Sequence, residues 1–200
     1  KQFNPPTSDS KEKKPLPILL EVGMLDYEGK EYLIKQKDSD CHSEHSKLLK
    51  IEGKEQSYIF TGFNNIPVPS LLRGFSSPVK LNISLSYKEL FVLMTQERDP
   101  FVCWDAGQKY VSKLILGIVK AQKQDRRFTI DPDYIKAVET ILSNDSLEPA
   151  LRAELLKLPS ENDLAQGMAV IDVDNIHFAR RFIQKYIGQE LKENFQEIYF

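Results

Sequence analysis

One short segment of the chain concentrates residue types that bind metals. Its members are Asp38, Asp40, Cys41, His42, Ser43, Glu44 and His45. Imidazole, thiolate and carboxylate groups are the usual ligands of zinc in proteins. The histidines are spaced His-x-x-His, whereas a zinc-binding catalytic helix needs His-Glu-x-x-His, which places both imidazoles on one face. The segment also lacks helical periodicity, so we predict a polar loop between strands and no metal ligand. A small zinc site at His42 and His45 is the alternative, which metal analysis after dialysis would test.

The remaining candidates are isolated side chains without a partner constellation. His177 lies near Asp174, and we predict a partly buried or capping histidine. Trp104, beside Asp105, is predicted to be a core or domain-interface anchor because a large aromatic ring buries much apolar surface. Two basic pairs are predicted to lie on the solvated surface, Arg126-Arg127 and Arg180-Arg181.

The chain lacks the sequence motifs of common catalytic sites. It has no Gly-rich phosphate loop, no Gly-x-Ser-x-Gly turn and no carboxylate pair with a distinctive spacing. Three histidines and two cysteines leave few side chains for metal or nucleophile chemistry. We therefore predict no catalytic residue and no metal ligand in this chain, and the sequence singles out no substrate-binding residue.

Length and composition are those of an ordinary globular chain and exclude several classes. Of 200 residues, 41% are hydrophobic and 28% charged, and the net charge of -2 gives no electrostatic footprint for nucleic acid. The longest apolar stretch, residues 114–119, is far below the roughly 20 residues of a membrane span. The proline-rich, charged start has no signal-peptide layout. With two distant cysteines, Cys41 and Cys103, we expect a reducing, cytoplasmic location.

Residues 1–85 have the pattern of a β domain. A proline-rich tether precedes short apolar runs separated by turn signals, and residues 26–29 are the turn of a predicted hairpin. Residues 79–85 alternate apolar and polar side chains, which is the cleanest strand pattern in the chain. Residues 71–75 form another apolar run. The pattern predicts about six short strands in half of an all-β sandwich.

At residue 86 the apolar period changes from two to that of a helix. Ser86 and Glu89 form a capping box. Asp99-Pro100 and Asp131-Pro132 are further helix starts, with an acidic N-cap before a proline. Later starts are predicted at Pro149, Ser160 and Asp172 or Asp174, and the last helix is predicted to run toward Tyr199. Strands first and helices second predict an α+β chain of two segregated parts, residues 1–85 and 86–200.

Several segments carry a resemblance to a known family. Residues 67–81 read Pro-Val-Pro-Ser-Leu-Leu-Arg-Gly-Phe-Ser-Ser-Pro-Val-Lys-Leu, and this string resembles the junction of the β-sandwich and helical domains in bacterial-type aminopeptidase N. Three further segments resemble the family in the same order along the chain. They are residues 26–30, residues 101–108 at the opening of the long helix, and residues 148–160. The resemblance covers nearly all 200 residues.

The resemblance implies an activity for a parent protein and none for this chain. The family consists of zinc metallo-aminopeptidases, hydrolases of the gluzincin type that remove N-terminal residues from peptides during peptide catabolism. Their His-Glu-x-x-His helix, downstream Glu and Gly-x-Met-Glu-Asn motif lie in a preceding catalytic domain, and neither motif occurs here. The resemblance implies that zinc belongs to that domain and that this fragment is inactive alone.

The resemblance also implies roles for the two parts. The first is an Ig-like sandwich, incomplete on its N-terminal side, which spaces the domains and packs against the parent's own catalytic domain. The second is the first part of a helical domain that roofs the chamber where peptide substrate binds. The alternative is a stand-alone interaction module, a β-sandwich joined to a helical array with a concave binding surface and no enzymatic activity.

Overall fold

The computed structural model describes residues 1–8, 13–37 and 42–199. The chain divides into two compact units. The strand unit comprises Lys1–Ser84 together with Gln96–Val102. The helical unit comprises Leu85–Thr95 and Cys103–Phe200. The segment Gln96–Val102 is therefore grouped with the strands although it connects two helices.

Two antiparallel sheets form the strand unit. The described strands are β1 (Ile18–Leu25), β2 (Lys35–Gln36), β3 (Ser46–Ile51), β4 (Phe60–Thr61) and β5 (Val68–Leu71). β1 is the central strand of a three-stranded sheet in the order β3-β1-β5, and β2 pairs with β4 in the second sheet. A short 3-10 helix, Arg73–Phe75, follows β5.

The hairpin turn after β1 forms where the sequence predicts it. Asp26 Oδ1 accepts hydrogen bonds from the amides of Glu28, at 3.0 Å, and Lys30, at 2.8 Å. Gly29 has φ 83°, a left-handed conformation that costs glycine little. The short aspartate side chain thus satisfies the turn backbone, and Leu25 pairs with Glu31 in an isolated bridge.

The core of the strand unit is built from one face of β1 and side chains from the other strands and the segments between them. Val22, Ile34 and Leu49 are buried at its centre. Partly buried hydrophobic residues surround them: Leu20, Met24, Tyr32, Tyr58, Phe60, Phe63 and Leu71. Leu20, Val22 and Met24 share a face because successive side chains of a strand point to opposite sides.

Two predicted strands are absent, and both predictions were wrong. Residues 79–85 form no strand, although their side chains still alternate between more buried and exposed positions. Residues 71–75 leave β5 at Leu71 and enter the 3-10 helix. Alternation reports only that one side of an extended chain faces inward. A strand also needs a hydrogen-bonding neighbour, which local sequence does not reveal.

Helices occupy the rest of the described chain. They are α1 (Tyr87–Gln96), α2 (Pro100–Lys123), α3 (Pro132–Leu142), α4 (Pro149–Leu155), α5 (Glu161–Gln166), α6 (Val173–Glu190) and α7 (Lys192–Tyr199). The segregation of strands and helices confirms the predicted fold class. None of these helices, within the part of the chain that the structure describes, is long and apolar enough to cross a bilayer.

The predicted helix starts are confirmed by their caps. The Glu89 amide donates to Ser86 Oγ at 3.2 Å while Glu89 Oε2 accepts from the Ser86 amide at 2.6 Å, the reciprocal pair of a capping box. Asp131 accepts from the Asp133 amide at 3.1 Å, and Ser160 accepts from the Asp163 amide at 3.1 Å. Each cap satisfies an amide that the first helical turn leaves without an internal partner.

The last predicted helix is divided in two. α6 ends at Glu190, and Leu191 has φ -108° and ψ 26°, outside helical geometry, before α7 begins. Leu191 is buried. The apolar spacing of Ile187, Leu191 and Phe195 continues through the break, so periodicity alone predicted one helix.

The helical unit has its own core. α5 packs against α6, and α3 packs against both α4 and α7. Side chains with almost no exposed surface in this unit include Tyr110, Ile115, Ala137, Leu164, Ile176, Ala179 and Ile183. Burial of such apolar surface is the main stabilising contribution to the unit.

Candidate functional site

The predicted polar loop lies partly outside the described residues. Asp38, Asp40 and Cys41 are among the residues that the structure does not describe. His42 and His45 are exposed, and Glu44 uses its backbone to pair with Ile34. Across residues 1–8, 13–37 and 42–199, no group of three or more His, Cys, Asp or Glu side chains is placed to hold a metal ion. The residues described here therefore do not fit a zinc ion.

His177 and Arg180 differ from their predicted surroundings. The side chain of His177 is 62% exposed, and its Nδ1 lies 2.8 Å from Glu161 Oε1. It is an exposed side chain that contacts Glu161 between α5 and α6, rather than a partly buried histidine. Arg180 is partly buried and donates from Nε to the carbonyl of Pro159 at 2.9 Å, so only its neighbour Arg181 lies on the surface as predicted.

The other isolated candidates have ordinary structural surroundings. Trp104 is half-buried on α2, and Asp105 forms an ion pair with Lys109 one turn along the same helix. Arg126 and Arg127 are exposed.

Arg73 is a well-connected charged group, and its guanidinium lies between two carboxylates. Its Nη2 is 2.8 Å from Glu97 Oε2 and its Nη1 is 2.7 Å from Glu31 Oε1. Its Nε donates to Ser70 Oγ at 2.9 Å. The side chains of Arg73 and Glu97 are only 9% and 1% exposed. We call Arg73, Glu31, Glu97 and Ser70 the Arg73 network.

The network keeps its buried carboxylate charged. Burial favours the neutral form of Glu97, but hydrogen bonds from Ser70, Arg73 and the Asp99 amide, with the charge of Arg73, outweigh it and lower the pKa of Glu97. Burial likewise opposes the charge on Arg73, and the two glutamates outweigh that effect and raise its pKa. A carboxylate held ionised in this way is a poor proton donor near neutral pH.

A second buried cluster lies in the helical unit around Tyr110. Its hydroxyl donates to Asp131 Oδ2 at 3.0 Å, and its ring lies 5.0 Å from Tyr87 and 5.4 Å from Tyr134. Burial, followed by the hydrogen bond to Asp131, raises the pKa of Tyr110 above its ordinary range. Burial alone also raises the pKa of Tyr134. These phenols stay neutral at physiological pH and act as packing and hydrogen-bonding groups.

Sequence analysis missed the Arg73 network as a unit. Arg73 and Ser70 belong to the quoted string of residues 67–81, but nothing there indicates the partners Glu31 and Glu97. One signal was present, because Gly23 interrupts an apolar strand, and an isolated glycine in a strand often marks a close approach. The guanidinium of Arg73 does approach Gly23.

The fold and the site define the class of this protein. An Ig-like β unit precedes a helical unit, and each unit contains a buried polar cluster. The described residues contain no metal centre. Two families match the chain along these lines. Residues 1–84 match the domain of unknown function DUF3458 with an Ig-like fold, and residues 87–200 match the domain of unknown function DUF3458_C with ARM repeats. The chain belongs to the DUF3458_C family.

Relatives with established names match almost the whole chain. Aminopeptidase N of Haemophilus influenzae is 32% identical over 199 residues, which are 99% of this chain and 22% of that protein. Aminopeptidase N of Escherichia coli is 32% identical over 198 residues, again 22% of its length. The chain therefore spans about a fifth of these relatives, and the resemblance to aminopeptidase N is confirmed.

A solved structure shares the fold. The crystal structure of Legionella pneumophila aminopeptidase A in complex with aspartic acid matches with a TM-score of 0.71 and 28% identity. The match covers 90% of this chain and 20% of that one. The β-then-α arrangement thus recurs as one section of a much longer aminopeptidase chain.

Proposed function

We propose that this chain is a non-catalytic section of a zinc aminopeptidase that removes N-terminal residues from peptides. The observation that carries the proposal is the alignment of 99% of the chain, at 32% identity, with 22% of aminopeptidase N. The chain also lacks the family's His-Glu-x-x-His motif. The hydrolytic chemistry therefore belongs to another part of the parent protein.

The two parts have different roles in this proposal. Residues 1–85 form the Ig-like spacer, which packs against the parent's own catalytic domain, and residues 86–200 form the start of the helical roof over the peptide-binding chamber. The family matches to residues 1–84 and 87–200 support that division. The net charge is only -2, from 27 basic and 29 acidic residues, so we expect apolar and hydrogen-bonded contacts to dominate the packing.

The proposed cofactor, zinc, is held by the parent's catalytic domain rather than by this chain. His42 and His45 are exposed, and the described residues supply no third ligand beside them. Structural and catalytic zinc sites need at least three protein ligands. We also propose a cytoplasmic location for the parent, because two distant cysteines, Cys41 and Cys103, make no disulfide framework.

Activity and zinc content test this proposal directly. The 200-residue chain and the protein encoded by its complete reading frame are assayed side by side on an aminoacyl anilide, with zinc present. We expect hydrolysis by the complete protein and a rate at least a thousandfold lower for the chain. After dialysis, the chain should carry no stoichiometric zinc.

Two results would contradict the proposal. One is hydrolysis by the chain at a rate close to that of the complete protein. The other is a reading frame without a His-Glu-x-x-His sequence and downstream Glu ahead of this region. A double variant, His42→Ala with His45→Ala, is the matched control for the zinc measurement. It removes the exposed histidines without altering the buried clusters, so its zinc content should equal that of the unmodified chain.

A stand-alone interaction module is the second candidate function. The ARM-repeat description of the family that matches residues 87–200 favours it, since stacked helical repeats present extended binding surfaces. It requires a reading frame without a protease domain and a monodisperse chain that binds a protein partner. The sequence upstream of this region therefore separates the two candidates.

A further inference from the structure

The segment Gln96–Val102, which we call the elbow, ends α1 and begins α2 yet belongs to the strand unit. A connection between two helices is ordinarily grouped with those helices. Its grouping with the strands therefore needs specific contacts that hold it there. These contacts come from the 3-10 helix Arg73–Phe75.

Each residue of that 3-10 helix contacts a different residue of the elbow. Arg73 forms its ion pair with Glu97 at 2.8 Å. The amide of Gly74 donates to Asp99 Oδ2 at 2.7 Å. The next ring, Phe75, lies 4.9 Å from the ring of Phe101. An ion pair, a charge-assisted hydrogen bond and an aromatic contact thus follow one another along three consecutive positions.

The backbone of this region is held in an unfavourable conformation. Leu72, Gly74 and Phe75 have φ values of 63°, 59° and 50°. Leucine and phenylalanine rarely adopt the left-handed region, because the Cβ of an L-residue crowds the backbone there. Such a turn persists only where surrounding contacts hold it, and the elbow supplies those contacts.

The carboxylates of Glu97 and Asp99 also hold the backbone of the elbow itself. Glu97 Oε1 accepts from the amides of Arg98, at 2.7 Å, and Asp99, at 3.1 Å. Asp99 Oδ1 caps α2 by accepting from the Val102 amide at 2.9 Å. Loss of either carboxylate would therefore remove hydrogen bonds within the elbow and, at the same time, a contact between the elbow and the 3-10 helix.

We propose that the Arg73 network fastens the elbow to the strand unit, so that the elbow opens locally when the network is broken while the sheet stays closed. While the network is intact, the start of α2 stays attached to the strands, and when the network is broken, it detaches from them. Because Arg73 and Glu97 are buried, a partly broken pair leaves a buried charge, and opening is all-or-none. The role is one of positioning and needs no substrate.

Hydrogen exchange of the chain at neutral pH tests the proposal. Arg73→Lys leaves a point charge that cannot form the forked contacts of a guanidinium. We expect at least tenfold faster exchange of amides in residues 72–75 and 96–102, and a clearly smaller acceleration for β1 and β3, which responds only to the loss of global stability. Arg181→Lys, the same substitution at an exposed helical position, is the matched control and should change none of these rates.

A second variant covers the case in which Arg73→Lys does not fold. Phe101→Leu removes the ring contact with Phe75 and leaves no buried charge, so the elbow should again exchange faster than the sheet. Equal acceleration throughout the strand unit would overturn the proposal, because it would mean that the network contributes only global stability. Fast elbow exchange in the unmodified chain would overturn it too.

Discussion

The guanidinium of Arg73 occupies the space that a side chain at Gly23 would need. A Cβ at Gly23 would lie 2.6 Å from Arg73 Nε and would overlap the guanidinium carbon. Gly23 sits on β1 opposite Ser46 on β3 and Ser70 on β5, on the face of the sheet away from the core formed by Val22. The absence of a side chain at Gly23 therefore lets a buried arginine lie against the central strand.

Gly23→Ala should strongly destabilise the strand unit. The added methyl forces Arg73 away from Glu97, and breaking a buried ion pair from one side costs about 3 kcal/mol. Urea unfolding measures the change in free energy. In an Arg73→Ser background the same Gly23→Ala change should cost much less, because the overlapping atoms are gone. Equal costs in both backgrounds would show that the overlap with Arg73 is not the cause.

The stability of the chain should fall in acid partly through Glu97. Its pKa in the folded protein lies below the ordinary value of 4.5, so between these values the unfolded chain binds more protons. Stability from this group is present above about pH 4.5 and is lost as pH falls through the lower, folded pKa. Unfolding free energies measured from pH 7 to pH 3 should therefore decline more steeply for the unmodified chain than for Glu97→Gln. Parallel curves would contradict this assignment.

Asp131→Ala should destabilise the helical unit more than the loss of a cap alone. Asp131 caps α3 through the Asp133 amide and also accepts the buried hydroxyl of Tyr110. Loss of both contacts leaves a buried donor unsatisfied and should cost about 2–3 kcal/mol. Tyr110→Phe removes that donor, so the double variant should lose less free energy than the sum of the two single changes. Strict additivity would show that the contact carries no coupling.

Gly117→Ala should stabilise the chain. Gly117 lies exposed within α2, and a Cβ there meets no atom within 4 Å. Alanine in a helix interior is favoured over glycine by about 1 kcal/mol because the unfolded chain loses less freedom. Gly188 in α6 is equally open, so the two changes should add. Thermal unfolding measures both, and a lower midpoint for either single variant would refute the argument.

The sequence by itself determined the features that depend on neighbours a few residues away. Ser86 with Glu89, and Asp131 before Pro132, predicted helix starts correctly because a cap joins a side chain to an amide within one turn. The turn at residues 26–29 was predicted for the same reason. The resemblance of residues 67–81 to aminopeptidase N was also present in the sequence alone.

Only the tertiary structure decided which distant groups meet. Residues 79–85 alternate like a strand but have no strand partner, and partner choice depends on the whole sheet. Arg73 and Glu97 are separated by 24 positions, and their pairing requires Gly23, the 3-10 helix and the elbow to converge. A buried ion pair forms only where the fold removes both charges from water at the same point, and no local pattern encodes that point.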